Sequence, residues 1–398
     1  MFRFTTAGES HGPALTTIVE GVPAGLAVRA EQIDHELRRR QGGYGRGGRM
    51  RIESDRAEIL SGVRFGETLG SPITLQVRNR DWENWTVAMS REPLDGEQDD
   101  ETLRRVVQPR PGHADLVGVL KYDRSDARDI LERASARETT VRVGASAIAR
   151  RMLEELGVTI GSHVVSLGGI VARPPEVLPE NLNEVSDISP VRCLDEEAEG
   201  KMIDAIDTAK REGDTLGGVF EVVARGVPVG LGSHVSWDRK LDGRLAGALM
   251  SIQAIKGVEI GLGFEAAARP GSRVHDEITF EGALELGGGY GRSSNHAGGL
   301  EGGITTGQPL VCRVAMKPIS TLMRPLRTVD LRTGEPVDAV RERSDVCALP
   351  AAGVVGEAMV AIVLAEAVLE KFGGDSMGEL RGRWDAHLSA LRGRFARV

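Results

Sequence analysis

Cysteine is scarce in this chain of 398 residues: only Cys193, Cys312 and Cys347 occur, far apart and without CxxC spacing. That excludes a disulfide framework, supplies no zinc-ligand pattern, and predicts a reduced, cytoplasmic protein with no metal site. Aromatic residues make up 4% of the chain, too few for the stacking platforms that single-stranded nucleic acids require. Lysine is nearly absent, seven residues against forty-three arginines, a bias from which no function follows. The amino-terminal MFRFTTAGESHG lacks an apolar core of signal-peptide length and no later run reads as a membrane span, so no membrane partner is expected.

What is present is a 40% hydrophobic chain with a formal net charge of -8 and an isoelectric point near 5.7. The apolar content can bury a substantial core in one large domain or two ordinary ones. The acidic balance argues against a general nucleic-acid binder, so each basic cluster must be a local device. Fifty-one glycines are spread through periodic segments, which suits many tight turns.

The densest chemistry lies between Arg110 and Thr140, where RPGHADL and RASARETT bring Arg110, His113, Asp115, Arg128, Arg133, Arg137 and Glu138 into one stretch. Pro111 and Gly112 break regular structure and place His113 on a loop. Ser135 and Thr139 can satisfy amide donors at the start of a helix expected from about Ala134 to Leu156, an end that attracts anions. The alternative is a surface loop whose arginines pair with Asp115, Asp126, Asp129 and Glu132. Earlier in the chain, a strand over Phe2–Thr6 runs into Gly8-Glu9-Ser10-His11-Gly12, which carries His11 on a tight loop. A helix over Glu31–Arg40 then enters a glycine-rich segment, and Arg38 to Arg51 holds six arginines and no acid. Cations suit a helix C-terminus. The arginines beyond it favour bidentate capture of phosphate or carboxylate on a small molecule, with RNA as the alternative.

Asp81–Asp100 reads as an acidic surface loop containing tryptophan. Apolar strands follow around Val158–Val171, then a proline-rich linker over Arg173–Pro190 and a charged helix over Asp195–Gly213. An internal echo relates Gly8–Gly12 and Gly21-Val22-Pro23-Ala24-Gly25-Leu26 to Gly213–Gly217 and Gly226-Val227-Pro228-Val229-Gly230-Leu231, at a constant offset of 205 residues. MLEELG ending at Gly157 and VLEKFG ending at Gly373 extend the echo more faintly. Two related halves, about 1–190 and 191–398, are therefore expected in a single domain around a pseudo-twofold axis. Leu216 stands where the first copy has His11, so the echo concerns architecture and not chemistry. Gly287–Gly303 is too irregular for a dinucleotide fingerprint but can lay amides against a ring or phosphate. Lys317–Thr321 adds a cation and two hydroxyls, and Arg343-Ser344-Asp345-Val346-Cys347 precedes an apolar helix over Gly353–Phe372.

Taken together, GESHG, RRR with GRGGRM, RPGHADL, RASARET, QAIKGVEIG, NHAGG with GGITTGQ, KPIST and RSDVCALPA, running in that order from Gly8 to Ala351, resemble the chorismate synthase family. The resemblance implies an α/β fold in the α+β sense, a β-α-β sandwich built on an internal repeat, assembled as a homotetramer. It implies 1,4-anti elimination of phosphate from 5-enolpyruvylshikimate 3-phosphate to give chorismate, with reduced FMN required and no net redox change. No long insertion of the kind carried by bifunctional members is present, so an external flavin reductant is expected, with NADPH as a further candidate.

The residues follow from the same resemblance. His11 is expected to act as general acid at the leaving phosphate, His113 to hold a proton towards the reduced flavin, and Asp345 to work with flavin N5. Ser10, Arg39, Arg46, Arg49, Arg110 and Arg137 are expected at the substrate, the choice between Arg39 and Arg40 being open by one position. Arg133, Ala134, Ser135, Gln253, Ala254, Gly302, Lys317, Pro318, Ile319, Ser320, Thr321 and Arg343 are expected at FMN, and Arg40 and Arg46 match the family's NADPH-contacting arginines. Ser320 replaces a proline common in KPIST-type segments. The competing readings are a flavin-dependent reductase with net redox chemistry and an RNA-binding module.

Overall fold

The computed structural model describes residues 1–47, 54–281, 285–342 and 344–393. In chain order the first half contains β1 (Arg3–Ala7), β2 (Ala14–Glu20), α1 (Ala30–Gln41), β3 (Ala57–Ile59), the hairpin β4 (Val63–Arg64) and β5 (Glu67–Thr68), and β6 (Ile73–Arg78). Next come α2 (Asp115–Tyr122), α3 (Arg128–Ala134), α4 (Thr139–Glu154), β7 (Thr159–Leu167), β8 (Ile170–Val171), α5 (Leu182–Ser186) and α6 (Glu196–Glu212). The remainder is β9 (Gly218–Arg225), α7 (Leu241–Met250), β10 (Ile255–Ile260), α8 (Phe264–Ala267), β11 (Ile278–Phe280), β12 (Tyr290–Arg292), β13 (Leu300–Glu301), β14 (Ile304–Thr305), β15 (Leu310–Met316), β16 (Arg327–Val329), β17 (Pro336–Asp338), α9 (Leu349–Phe372) and α10 (Met377–Gly393).

Two antiparallel sheets enclose a helical layer. One sheet has the order β1-β2-β6-β3 and the other β10-β15-β9-β7-β8. Read from β7, the second sheet repeats the first: β7, β9, β15 and β10 stand where β1, β2, β6 and β3 stand. Helices α1 and α4 cover the first sheet, α7 and α9 cover the second, and α4 packs on α9. This is a β-α-β sandwich, an α+β fold in which alternating strand faces bury Leu15, Val19, Ile73, Leu75 and Val77 on one side and Phe220, Val222, Leu310, Cys312 and Val314 on the other.

The sequence echo falls on equivalent turns. Gly21 and Gly226 follow β2 and β9, both at φ +78°. The Thr68 hydroxyl donates to Pro23 O and accepts from Leu26 N; the Thr305 hydroxyl donates to Pro228 O and accepts from Leu231 N. Each clasp ties a short hairpin to the turn after a central strand. Strand β7 belongs to the second sheet although it precedes residue 190.

Three sequence expectations need correction. The helix expected from Ala134 is interrupted: α3 ends at Ala134, Ser135 adopts φ -61°, ψ 142°, and its side chain accepts from Arg137 N before α4 begins at Thr139. The last long helix starts at Leu349, with Pro350 in its first turn, where a missing amide costs nothing. That 24-residue helix, with a mean hydropathy of 2.0 over its most apolar window, does reach membrane-spanning length, yet 94% of that window is buried inside the protein. It is apolar all round because it is packed between helices and a sheet on every side.

Candidate active site

His11 is delivered by the turn between β1 and β2. Gly8 in that turn has φ +109°, and a Cβ there would lie 2.4 Å from Ala14 O, so only glycine fits. The ring is then held by a residue far away in sequence. His11 Nδ1 lies 2.9 Å from Glu132 Oε1, the His11 backbone amide donates to Glu132 Oε2 at 2.8 Å, and Ser10 N donates to Glu132 O at 3.0 Å. Arg128, one helical turn before Glu132 on α3, donates to Oε1 at 3.1 Å and reaches Glu342 with its other nitrogen at 2.9 Å. The imidazole also stacks on Trp85, centroids 3.7 Å apart at 20°, and the Arg104 guanidinium sits 3.9 Å from the Trp85 ring. Burial would push the Glu132 carboxyl up, but His11 and Arg128 outweigh it and hold it below the usual carboxylate range.

His113 follows the Pro111–Gly112 break and sits on a turn, as expected, where α2 begins. Its Nδ1 lies 2.5 Å from Asp115 Oδ1. Arg110 donates to Asp115 from its backbone amide at 3.0 Å and from Nε at 2.8 Å, donates to the Thr321 hydroxyl at 2.9 Å, and approaches His113 at 3.2 Å. Asp115 is fully buried; burial opposes its ionisation, but His113 and Arg110 hold it well below the usual range. Lys317 Nζ donates to Gly112 O at 2.9 Å, which docks the KPIST segment against the same turn, and burial together with Lys256 lowers the Lys317 pKa. Lys317 N donates to Ala254 O, and Ala254 itself adopts φ +66°, a strained conformation for a residue with a Cβ.

Asp345 accepts from Gly47 N at 2.6 Å and pairs with Arg46 Nε at 3.0 Å. Arg46 donates to Arg40 O, and Arg40 donates to Thr139 and to Ala136 O. Leu216 N donates to Val346 O, and a Cβ on Gly217 would lie 2.8 Å from Lys317 C. Continuous contact therefore links His113, the KPIST segment, Asp345, Arg46 and Arg40 to the Glu132–Thr139 segment that carries His11. Arg49 and Arg343 lie outside the described residues.

Two expected substrate arginines point elsewhere. Arg39 is a correction: it donates to both oxygens of Glu357 at 2.9 Å, to Glu36 at 2.8 Å and to Asp187 at 2.6 Å, inside the protein. Adjacent positions on a helix face about 100° apart, so Arg40 turns to Thr139, Ala136 O and Asp55 while Arg39 turns to the core acid. Arg137 is engaged with Asp55 at 2.7 Å and with Asn79 at 3.0 Å, bracing the wall from behind.

Of the expected flavin positions, Arg133 and Gln253 line one cleft of about 340 Å³, together with Phe4, Thr6, Glu138, Arg142, Ser251 and Met359. Gln253 Oε1 is buried there with no hydrogen-bond donor among the described residues, an unmet acceptor suited to a polar ring edge. Ala134 and Ser135 adjoin Arg133, and Lys317–Thr321 meets Ala254. His11, His113 and Asp345 do not line that cleft. Gly302 lies in the hairpin between β13 and β14 and does not line that cleft. Sequence reasoning missed the roles of Glu132, left as an ordinary ion-pair partner, and of Trp85, placed in a surface loop but 7% exposed. No local pattern signals either, since both meet His11 only through the fold.

Two carboxylate-held imidazoles, a third carboxylate and a set of arginines thus lie on one sandwich. The chain matches the sequence pattern described as chorismate synthase over residues 2–369. It is 60% identical to the chorismate synthase of Desulforudis audaxviator, covering 98% of both chains, and 57% identical to chorismate synthase 1 of Bacillus thuringiensis, covering 98% of this chain and all of that one. A crystal structure of chorismate synthase superposes with a TM-score of 0.78 at 46% identity, covering 98% of both chains. The chain belongs to the chorismate synthase family. It is a carbon-oxygen lyase that eliminates phosphate from 5-enolpyruvylshikimate 3-phosphate to form chorismate, closing the shikimate pathway to the aromatic amino acids.

Proposed function

We propose that the elimination is carried out with reduced FMN, with His11 as general acid at the departing phosphate, His113 holding a proton beside the flavin and Asp345 acting as the carboxylate at the proton that is lost. The observation that carries the flavin reading is the unmet Gln253 carbonyl, whose neighbour Ala254 accepts from Lys317 N while Lys317 Nζ reaches Gly112 O beside His113. Reduced FMN supplies electron density to the departing allylic system and recovers it, leaving no net redox change.

The residues do the rest. Arg40, Arg46 and Arg110 bring positive charge toward a substrate that carries a phosphate and two carboxylates. Because His11 Nδ1 faces Glu132, a proton leaving this ring departs from Nε2. Asp345 is held in place by Arg46 and the Gly47 amide. Ser10, fixed through its amide, and Arg49 complete the substrate side, and Ala134, Ser135, Ala254, Lys317–Thr321 and Arg343 the flavin side. A proton transfer positioned in this way contributes about 10²-fold to 10⁴-fold in rate.

The chain acts as one domain of two related halves, a reading supported by the shared strand order, and assembles as a homotetramer. The exposed Phe264, Ile278 and Phe280 offer an apolar face for another copy. An external reductant keeps FMN reduced, with NADPH as its electron source if Arg40 and Arg46 receive it. Three buried, unpaired cysteines suit the cytoplasm. The deciding experiment is an anaerobic assay with dithionite-reduced FMN. Many molecules of phosphate and of enolpyruvyl product per flavin are expected; one oxidised flavin per product would establish a reductase instead.

A further inference from the structure

We propose that Glu132 is the positioning residue for His11, fixing which ring nitrogen gives up the proton; this rests on the reading of His11 as general acid. Three donors converge on one carboxylate. Arg128 Nη1 and the His11 Nδ1–H meet Oε1 at 3.1 and 2.9 Å, while the His11 amide meets Oε2 at 2.8 Å. Two of them, a guanidinium and a backbone amide, can never accept a hydrogen bond. The imidazole is the only one of the three that could exchange donor for acceptor, and an ionised carboxylate, whose two oxygens only accept, offers it no hydrogen to accept. The Nδ1-protonated form is thereby selected, and both the ring and its backbone are tied to the same side chain, which removes rotation about the bonds between them.

The setting is built for that task. The Glu132 side chain is 1% exposed, its helix rests on a separate small core of Val106, Val119, Ala127 and Leu131, and Trp85 stacks on a face of the ring whose Nδ1 edge Glu132 holds. A stabilising ion pair alone would need none of the contact to the His11 backbone, because Arg128 already has Glu342.

Glutamine at this position has one acceptor atom for three donors, so it forces a donor-to-donor conflict that the imidazole can relieve by moving its proton to Nε2. The test uses full-length enzyme with dithionite-reduced FMN under anaerobic conditions. It compares wild type, Glu132→Gln, Glu132→Asp and His11→Ala for kcat and KM, and records nitrogen-15 spectra of labelled histidine, with the His11 signal assigned by its loss in His11→Ala. Glu132→Gln should lose about 10²-fold in kcat with little change in KM, its His11 proton should leave Nδ1, and Glu132→Asp, which keeps the charge on a shorter stem, should recover part of the rate. Wild-type kcat and an unchanged His11 signal in Glu132→Gln, with His11→Ala inactive, would overturn the positioning role and leave His11 as the acid. Wild-type kcat in His11→Ala would overturn both. If Glu132→Gln does not fold, Glu132→Asp decides: lowered kcat with retained KM and an altered Nδ1 signal supports the role, and wild-type kcat with an unaltered signal removes it.

Discussion

The two histidines of the site are held in opposite ways. His113 and its carboxylate are two residues apart on one turn, and the arginine that seals them, Arg110, is three residues before the ring. His11 and Glu132 are 121 residues apart and meet only because β1 and α3 pack together. Arg110 touches both members of its pair, whereas Arg128 is seen only on the carboxylate of the other and is shared with Glu342. The local pair is a self-contained unit that the turn itself assembles; the distant pair reports whether the fold around it is correct. The Asp115 carboxylate is therefore the more costly to remove, and the Glu132 carboxylate the more sensitive to everything around it.

Asp115→Asn is the largest break. It leaves Arg110, 8% exposed, beside a neutral amide that cannot serve the Arg110 amide, its Nε and the imidazole together. Loss of one partner of a buried pair costs about 3–5 kcal/mol, which a urea or guanidinium unfolding midpoint would show, with an unchanged slope. The same change at Glu132 should cost only about 1.5–3 kcal/mol, the range for hydrogen bonds to charged groups, because Arg128 keeps Glu342. Equal losses at both positions would erase the distinction between the sealed and the shared pair.

Acid titration sharpens the same contrast. Both carboxyls are held below their ordinary range in the folded protein, so each contributes stability that is complete above the unfolded carboxylate pKa of about 4 and is lost as pH falls through the folded value. Unfolding free energy should thus be level near neutrality and fall below about pH 5. The acid-side slope should be shallower in Asp115→Asn than in Glu132→Gln, since Asp115 lies further below its ordinary value. An identical slope in wild type and both variants would mean that neither carboxyl is held down.

The contrast also explains what could be read before the fold was known. The RPGHADL turn, the strand into His11, α1, the charged helix and the glycine turns of the internal echo were legible because each is local: a glycine at positive φ, a proline or a 3.6-residue period acts within a few residues. Family signatures then supplied the β-α-β sandwich and the chemistry. The choice between Arg39 and Arg40 stayed open because the run RRR gives no helical phase; the fold directs Arg39 to Glu357. The helix start was placed about five residues early because Ser135 and Thr139 can both cap, and the sequence does not show that a short turn separates them. Trp85 and Glu132 carried no signal, since a side chain's partner across a hundred residues is a property of packing and not of spacing.

The smallest predicted effect concerns Trp85, a contact to His11 that is neither charged nor hydrogen-bonded. It stacks on the ring at 3.7 Å and lies under Arg104 on its other side, so its removal should loosen His11 without changing which nitrogen bears the proton. Aromatic stacking of this kind contributes about 0.5–1.5 kcal/mol beyond area burial. Trp85→Leu, which keeps most of the apolar volume, should therefore lower kcat by roughly threefold to tenfold, as that energy converts at 1.36 kcal/mol per factor of ten, while the His11 Nδ1 signal stays as in wild type. A shift of that proton in Trp85→Leu would show that stacking, and not the Glu132 carboxylate, sets the tautomer. The distant pair would then depend on the loop that covers it more than on the helix that carries it.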